Sequence, residues 1–139
     1  MNSIRLIIAG SRDFNDYELL EKEVDNYLLS IIEKVEVNLC DQYLLSTGEL
    51  FDLPIEVVSG TARGADMLGE QYAKKRNLPI KFFVPNWSQN GRSAGYIRNE
   101  EMAKYASDCV VFILNSSKGS IHMANLAKKY NLGLKVINL

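Results

Sequence analysis

The sequence predicts an α/β fold in which a mainly parallel, five-stranded sheet lies between two layers of helices. Five short apolar runs alternate with stretches of helical periodicity along the 139 residues. Runs that are apolar throughout are typical of strands buried on both faces of a parallel sheet. Because alternating strands and helices fold as right-handed βαβ units, we expect an open three-layer sandwich that forms a single domain, 1–139.

Each predicted element has its own signal in the sequence. The predicted strands are the runs richest in β-branched and apolar residues, at 4–9, 55–58, 80–84, 109–114 and 134–137. The predicted helices repeat apolar residues every three or four positions, at 16–33, 65–75, 94–105 and 121–130. Asn77 and Asn131 follow two of these helices and are typical of helix ends.

The segment 35–54 fits neither pattern. It is longer than a connection between a helix and a strand needs. We predict an extension of the first helix followed by an insertion, such as a short hairpin. Its leucines and aromatic residues could pack either on a partner or back on their own domain.

Composition and charge exclude some classes of function. The chain carries 16 Lys and Arg against 17 Asp and Glu, a net charge of −1, so any anion site must come from locally placed cations. The apolar run at 4–9 is too short for a signal peptide or a membrane-spanning helix, so we expect a cytoplasmic protein. Cys40 and Cys109 lack the spacing of metal ligands, and the apolar surroundings of Cys109 favour a buried, inert thiol.

The loops that follow the predicted strands carry the candidate site. Ligands of open α/β sheets bind beyond the carboxyl ends of the strands. Glycines there let backbone amides approach an oxyanion, and arginines add forked, charged donors. Four such loops coincide, which predicts a phosphate-bearing ligand. The predicted site residues are Gly10, Ser11, Arg12, Asp13, Ser59, Gly60, Thr61, Ala62, Arg63, Gly64, Asp66, Arg92, Arg98, Asn99, Ser116, Lys118, Gly119 and Ser120.

Several of these features also have structural interpretations. A single glycine-bearing loop is most often a tight turn, and GTARG matches neither the Walker pattern nor the dinucleotide fingerprint. Asp66 fits a helix cap as well as a ligand contact, and Arg98 fits a solvated position, although a cation near a helix start opposes the dipole. We assign Trp87 to a lid or to the core and favour a non-catalytic role for His122. The coincidence of four loops is what favours a site.

Four motifs, in order, resemble the YspA-like branch of the SLOG superfamily, the Rossmann-like proteins named for the SMF/DprA and LOG groups. They are IAGSRDF (8–14), VVSGTARGAD (57–66), NGRSAGYIRNEEMA (90–103) and SSKGSIHM (116–123), and the resemblance covers nearly the whole chain except 35–54. It implies a Rossmann-like sheet that binds a nucleotide or nucleotide derivative at its carboxyl edge. It also implies self-association through helices that flank the site.

The resemblance extends to enzymes, with one departure. The LOG phosphoribohydrolases cut the N-glycosidic bond of nucleoside monophosphates with the motifs P-G-G-x-G-T-x-x-E and R-K-x-x-M. Arg98 and Met102 keep the spacing of the second motif, which makes Arg98 the candidate catalytic residue. Met123 stands where the enzymes have glutamate, and a thioether can neither stabilise an oxocarbenium-like centre nor activate water. The carboxylates that could replace that glutamate are Asp13, Asp66, Glu100 and Glu101.

We therefore predict a protein that binds or senses a nucleotide-like small molecule, with no metal and no membrane partner. Two alternatives stay open: an N-glycosidase that acts on nucleoside monophosphates, and single-stranded DNA binding like that of DprA. DNA binding asks for a basic stripe and exposed stacking aromatics. This near-neutral chain offers Phe14, Trp87 and Tyr96 near its cations, so a nucleic-acid partner is not expected.

Overall fold

The fold is α/β, as predicted. The computed structural model describes residues 3–34 and 55–139, and the predicted insertion at 35–54 lies outside them. The elements in chain order are β1 (Ile4–Gly10), α1 (Tyr17–Lys34), β2 (Ile55–Ser59), α2 (Ala65–Lys75), β3 (Ile80–Phe82), α3 (Trp87–Asn90), a 3₁₀ turn (Gly91–Ser93), α4 (Ala94–Tyr105), β4 (Asp108–Ile113), α5 (Lys118–Lys129) and β5 (Gly133–Asn138). Every strand pair is parallel, which makes the sheet wholly parallel.

Helices cover both faces of the sheet, and each face has its own apolar core. Leu6 and Ile8 of β1 point to one face, where they pack with the buried side chains of α1 and α2. Ile7 and Ala9 point to the other face, where they pack with α4 and α5. This alternation of neighbouring residues explains why β1 is apolar throughout. The arrangement is the predicted Rossmann-like three-layer sandwich.

The strand order places a cleft at one edge of the sheet. The order is β3-β2-β1-β4-β5, so the chain adds strands to one side of β1 and then crosses to the other side. The loops that leave β1 and β4 therefore diverge to opposite faces of the sheet. Such a switch point is where open α/β sheets bind their ligands.

The element boundaries differ from the predicted ones where neighbours decide them. The apolar run at 80–84 forms a strand only through Phe82, because β2 ends at Ser59 and offers no further partner. The last helix begins at Lys118 rather than at the predicted residue 121. Its first turn is polar, so the apolar pattern did not reveal it. The short helix α3 was not predicted; the side chain of Asn86 caps it by accepting a hydrogen bond from Gln89 N at 3.1 Å.

Both predicted helix ends are confirmed. Asn77 and Asn131 each have a φ of 58°, the left-handed conformation that ends many helices. The next residue in each case donates its backbone N–H five residues back, as Leu78 N does to Ala73 O at 2.8 Å. The sequence pattern Asn-Leu therefore ends both helices in the same way.

Cys109 is the second residue of β4 and is fully buried. Burial raises the pKa of its thiol far above the ordinary value, so the predicted inert thiol is confirmed. Within the described ranges, no helix has both the length and the apolar character needed to cross a membrane.

Candidate functional site

A cavity of about 540 Å³ opens at the carboxyl edge of the sheet. Its walls come from the loops after β1, β2 and β4 and from the first turns of α4 and α5. Most of the predicted site residues line it. They are Gly10, Ser11, Arg12, Asp13, Ala62, Arg63, Asp66, Arg92, Arg98, Asn99, Gly119 and Ser120.

Three serine hydroxyls meet on one wall of this cavity. Ser11 Oγ lies 2.9 Å from Ser117 Oγ and 3.3 Å from Ser120 Oγ, and Ser117 Oγ donates to Ser120 Oγ at 2.6 Å. The backbone N–H of Leu114 also donates to Ser11 Oγ at 2.8 Å, which fixes the loop after β4 against the loop after β1. Because a hydroxyl can rotate to donate or accept, this cluster can turn donors toward an anion.

The N-terminus of α5 opens beside the three hydroxyls. Ser117 is the N-cap residue, but its side chain makes no capping hydrogen bond. Among the described residues, the amides of Lys118, Gly119 and Ser120 have no hydrogen-bond partner. A Cβ added to Gly119 would meet no atom within 4 Å, so open space lies above this helix turn. Unpaired amides at the positive end of a helix are suited to an oxyanion.

Arginines face this helix end from other loops. Arg12 and Arg92 are exposed, and neither forms an ion pair within the described parts of the chain. Arg63 lies 3.5 Å from Asp13, but both side chains are more than 70% exposed, at 74% and 81%. A pair this exposed is worth less than about 1 kcal/mol and can exchange for a ligand.

Arg98 is buried, which corrects the interpretation of it as a solvated residue. It is 8% exposed and lies in the second turn of α4. Its Nε donates to Asn99 Oδ1 at 3.0 Å and its Nη1 to the carbonyl of Gly60. Its Nη2 has no hydrogen-bond partner among the described residues, so one edge of the guanidinium is left for a ligand. Burial lowers the pKa of Arg98, and the charge of Asp66 opposes that shift.

Asp66 is a buried carboxylate in the same cavity. Its Oδ2 accepts from Ala62 N at 3.1 Å, and the residue is 5% exposed. Burial raises the pKa of Asp66 to about 6, a shift that the Ala62 amide and the charge of Arg98 only partly oppose. Strongly shifted carboxyl groups are concentrated at functional sites, where they can exchange protons near neutral pH.

Two glycines hold the cavity wall together by letting backbones approach closely. Gly64 has a φ of 80°, and a Cβ there would collide with the carbonyl groups of Ser11 and Arg12. Gly60 lies between Asp66 and Arg98; a Cβ there would be 2.8 Å from Asp66 Oδ2 and 3.1 Å from Arg98 Cζ. Both positions therefore need glycine to form the wall, whatever the ligand.

Three residues other than glycine at this edge of the sheet also have positive φ angles. Thr61 has a φ of 65°, which is unusual for a β-branched residue, and Asn115 and Ser116 follow each other at 53° and 52°. Each strained residue costs on the order of 1 kcal/mol or more, so the surrounding contacts must hold it. The two successive left-handed residues turn Ser117 back toward Ser11.

Six predicted site residues do not line this cavity. Ser59 is 1% exposed and donates to Glu70 Oε2 at 2.6 Å, so its role is structural. Gly60 and Gly64 lie behind the wall, and Thr61 faces a smaller neighbouring cavity. Ser116 and Lys118 are exposed beside the α5 N-terminus without lining either cavity.

Other lining residues were not among the predicted set. Ser117 completes the hydroxyl cluster, and the sequence signal for it was its N-cap position before a helix. Four of the five lining residues of α4 follow the helical spacing i, i+3, i+4 and i+7, a pattern that could have found Gly95 and Met102. The additional lining residues are Ala9, Trp87, Gly95, Tyr96, Met102, Leu114, Asn115, Ser117 and Met123.

The carboxylates considered as replacements for the missing glutamate separate into two groups. Asp13 and Asp66 line the cavity. Glu100 instead accepts from Tyr130 Oη at 2.9 Å, outside the cavity, and Glu101 is exposed. Met123 is buried in the cavity floor. Among these four carboxylates, Asp66 is therefore the one that is both buried and part of the cavity lining.

Phe14, Trp87 and His122 differ in whether they reach the cavity. Phe14 is buried and stacks on Phe112, with ring centroids 4.9 Å apart, so it cannot stack on a nucleic-acid base. Trp87 is 51% exposed and lines the cavity, which fits a lid rather than the core. His122 lies behind the wall, where its Nδ1 is 3.3 Å from Asn99 Nδ2. Burial lowers the pKa of His122, which favours a neutral ring that positions Asn99.

The side chains in this cavity suit an anion better than a metal ion. Within residues 3–34 and 55–139, no three His, Cys, Asp or Glu side chains converge as ligands. The lining carries four arginines and two aspartates, a net positive charge in a chain whose total is −1. Local charge therefore favours an anionic ligand.

Comparison with known proteins relates the chain to a phage protein. No protein-family profile and no solved structure matches the chain. The Gene 61 protein of Mycobacterium phage D29 is 35% identical over 88 residues, which cover 59% of this chain and 69% of the phage protein. With that identity and coverage, the chain belongs to the same family as the Gene 61 protein of Mycobacterium phage D29.

Proposed function

We propose that the protein binds a nucleotide or a nucleotide-derived phosphorylated ligand at the carboxyl edge of its sheet, as a binding or sensing protein. One observation carries this proposal: the uncapped N-terminus of α5, three hydroxyls and four arginines converge on one cavity. The resemblance to the SLOG superfamily supports the same ligand class.

The phosphate fits the wall formed by α5 and the loop after β1. The free amides of Gly119 and Ser120 and the hydroxyls of Ser11 and Ser117 can donate to its oxygens. Arg98 Nη2, in the lining of the same cavity, can add a charged donor. Charge-assisted hydrogen bonds contribute about 1.5–3 kcal/mol each, and a micromolar affinity needs about 8 kcal/mol, so a few such bonds plus burial of a base suffice.

The base fits against the aromatic and apolar side chains that line the same cavity. Trp87 and Tyr96 are about half exposed and present aromatic surfaces there, while Met102 and Met123 form a buried apolar floor. Aromatic side chains stack on nucleobases with little preference for which base. These side chains favour a flat, partly apolar group rather than a bare anion.

The test is calorimetric titration of the pure protein with the common nucleoside 5′-monophosphates and with the matching nucleosides. We expect at least one monophosphate to bind near micromolar affinity and its nucleoside to bind at least tenfold more weakly, because the nucleoside lacks the anion. Binding of no nucleotide in the panel would contradict the proposal, and so would equal binding of nucleotide and nucleoside.

A variant pair sharpens this test. Gly119→Ala places a methyl group in the open space above the α5 amides without meeting another atom, so it should block the phosphate and leave the fold intact. Asn125→Ala, at an exposed position of α5 outside the cavity, is the matched control. Loss of affinity in the first variant alone supports the proposed phosphate position.

A second candidate function, hydrolysis of the N-glycosidic bond of nucleoside monophosphates, is favoured by Asp66. Its pKa of about 6 and its place in the cavity with Arg98 give it the properties of an acid–base group. Incubation of concentrated protein with the nucleotide panel, followed by chromatography for free base, tests this activity. Base release that Asp66→Asn abolishes would support it, whereas no release from any nucleotide would contradict it.

A further inference from the structure

A second, smaller cavity adjoins the large one. Its volume is about 360 Å³, and the two cavities share the side chains of Arg12, Arg63, Trp87 and Arg98. Val84, which lines only the smaller cavity, is 72% exposed. The two cavities are therefore neighbours, with three arginines lying at their common border.

The smaller cavity is lined by three arginines and by no carboxylate. Asp13 and Asp66, the acidic residues of the site, line only the large cavity. The local charge is thus more positive in the smaller cavity than in the larger one. A strongly positive, concave surface on a chain with a net charge of −1 points to an anion as its occupant.

None of the three arginines has a buried ion-pair partner among the described residues. Arg12 forms no ion pair with any residue that the structure describes, and Arg63 holds Asp13 only through an exposed contact at 3.5 Å. Arg98 is more than nine-tenths buried and has an unbonded Nη2. The positive charge of Arg12 also lies close enough to lower the pKa of Arg98, so the two guanidinium groups repel each other. An anion between them would relieve that repulsion.

We propose that the smaller cavity is a second anion subsite, which takes the second phosphoryl group of a pyrophosphate-bearing nucleotide. The inference rests on the proposed function, because the first phosphoryl group lies at the hydroxyl cluster and the N-terminus of α5. Nucleoside diphosphates then bind more tightly than monophosphates of the same base, since only the diphosphates reach both subsites.

Val84 offers a selective test, because it lines the smaller cavity alone and its exposure makes substitution harmless to the fold. Val84→Glu introduces a negative charge there, Val84→Lys a positive one, and Val84→Gln is the neutral control. AMP, ADP, GMP and GDP are titrated into each variant by calorimetry. The measured quantity is the ratio of diphosphate to monophosphate affinity for each base.

We expect this ratio to be about tenfold or more in the unmodified protein and in Val84→Gln. It falls severalfold in Val84→Glu and rises in Val84→Lys, while monophosphate affinity changes by less than about twofold. If nucleotides bind but the ratio is near one, or is the same in all variants, the second subsite is wrong and the proposed function stands.

If neither these four nucleotides nor any member of the monophosphate panel binds, the proposed function fails, and inorganic pyrophosphate decides the subsite separately. Pyrophosphate binding that Val84→Glu weakens and Val84→Lys strengthens supports the subsite. Pyrophosphate that does not bind, or that binds equally to all variants, overturns it.

Discussion

The molecule contains two buried arginines, Arg76 and Arg98, whose surroundings differ in one respect. Arg76 is 5% exposed and Arg98 is 8% exposed, so both guanidinium groups have lost most of their water. Arg76 lies 2.6 Å from Asp25 and 3.5 Å from Glu21, whereas Arg98 has no carboxylate within ion-pair distance among the described residues. The protein itself neutralises the first arginine and leaves the second one for another partner.

This difference identifies Arg76 as the structural one of the two buried arginines. Arg76 links α2 to α1, and its Cζ also lies 5.4 Å from the ring centroid of Tyr72, whose hydroxyl bonds Asp25. This cluster holds two helices on one face of the sheet. Arg98 instead faces the cavity at the carboxyl edge, where Asp66, the acid whose charge acts on it, lies beyond ion-pair distance. A buried cation without a full counterion is suited to bind an anion.

The largest effect should come from removing the structural arginine. Arg76→Gln leaves Asp25 and Glu21 without their cation, so the free energy of unfolding should fall by roughly 3–5 kcal/mol. Chemical denaturation measures this loss. The fraction of this variant that stays folded should bind nucleotide with unchanged affinity. A loss of binding free energy greater than the loss of unfolding free energy would show that Arg76 is not purely structural.

The next effect concerns Asp66 and depends on pH. Its pKa is raised from 3.8 to about 6 in the folded state, so the folded protein holds this proton more tightly than the unfolded chain. The resulting stabilisation is present below about pH 4 and is lost as the pH rises through about 6. It amounts to at most roughly 3 kcal/mol. Urea denaturation should show this decline in the unmodified protein, and Asp66→Asn should abolish it. Parallel pH profiles for the two proteins would contradict the assignment.

Arg98→Met should have a smaller effect on stability and a larger effect on binding than Arg76→Gln. It removes the hydrogen bonds to Gly60 O and Asn99 Oδ1, which should lower the free energy of unfolding by about 1–2 kcal/mol. It also removes the buried cation from the cavity, so nucleotide affinity should fall by about 10- to 100-fold. Denaturation and calorimetry on the same sample give both numbers. An unchanged affinity would place Arg98 with Arg76 as a structural residue.

The smallest effect on stability is expected for Arg63→Ala. The side chain is 74% exposed and its pairing with Asp13 is loose, so the free energy of unfolding should change by less than about 0.5 kcal/mol. Nucleotide affinity should nevertheless fall severalfold, because Arg63 lines both cavities. Equal and substantial losses of stability and affinity would show that Arg63 supports the loop rather than the ligand.

The fold could be predicted from the sequence because its three central strands are buried on both faces and therefore appear as continuous apolar runs. β4 shows this most clearly, since five of its six residues are buried. The apolar pattern could not predict the element ends that depend on neighbouring parts of the fold. The end of β3 depends on where β2 stops, and the start of α5 lies in a polar turn that faces the cavity.

The candidate site was predicted in outline for a similar reason. Loops after parallel strands meet at one edge, so the sequence indicated which loops converge. It could not indicate which side chains turn inward. Asn115 and Ser116 adopt left-handed conformations that bring Ser117 into the cavity and leave Lys118 outside it. Nor could the sequence indicate that Arg76 is buried and paired, because its partners Asp25 and Glu21 lie on a distant helix, α1.

The central claim is that the N-terminus of α5 holds the phosphate, and amide-resolved NMR tests it most directly. The ¹⁵N-labelled protein is titrated with inorganic phosphate and then with the tightest nucleotide of the panel. We predict that the amide resonances of Gly119 and Ser120 shift most, while those beside Arg76 stay unchanged. Saturable shifts centred on another part of the molecule, or no shift at Gly119 and Ser120 at saturating nucleotide, would contradict the claim.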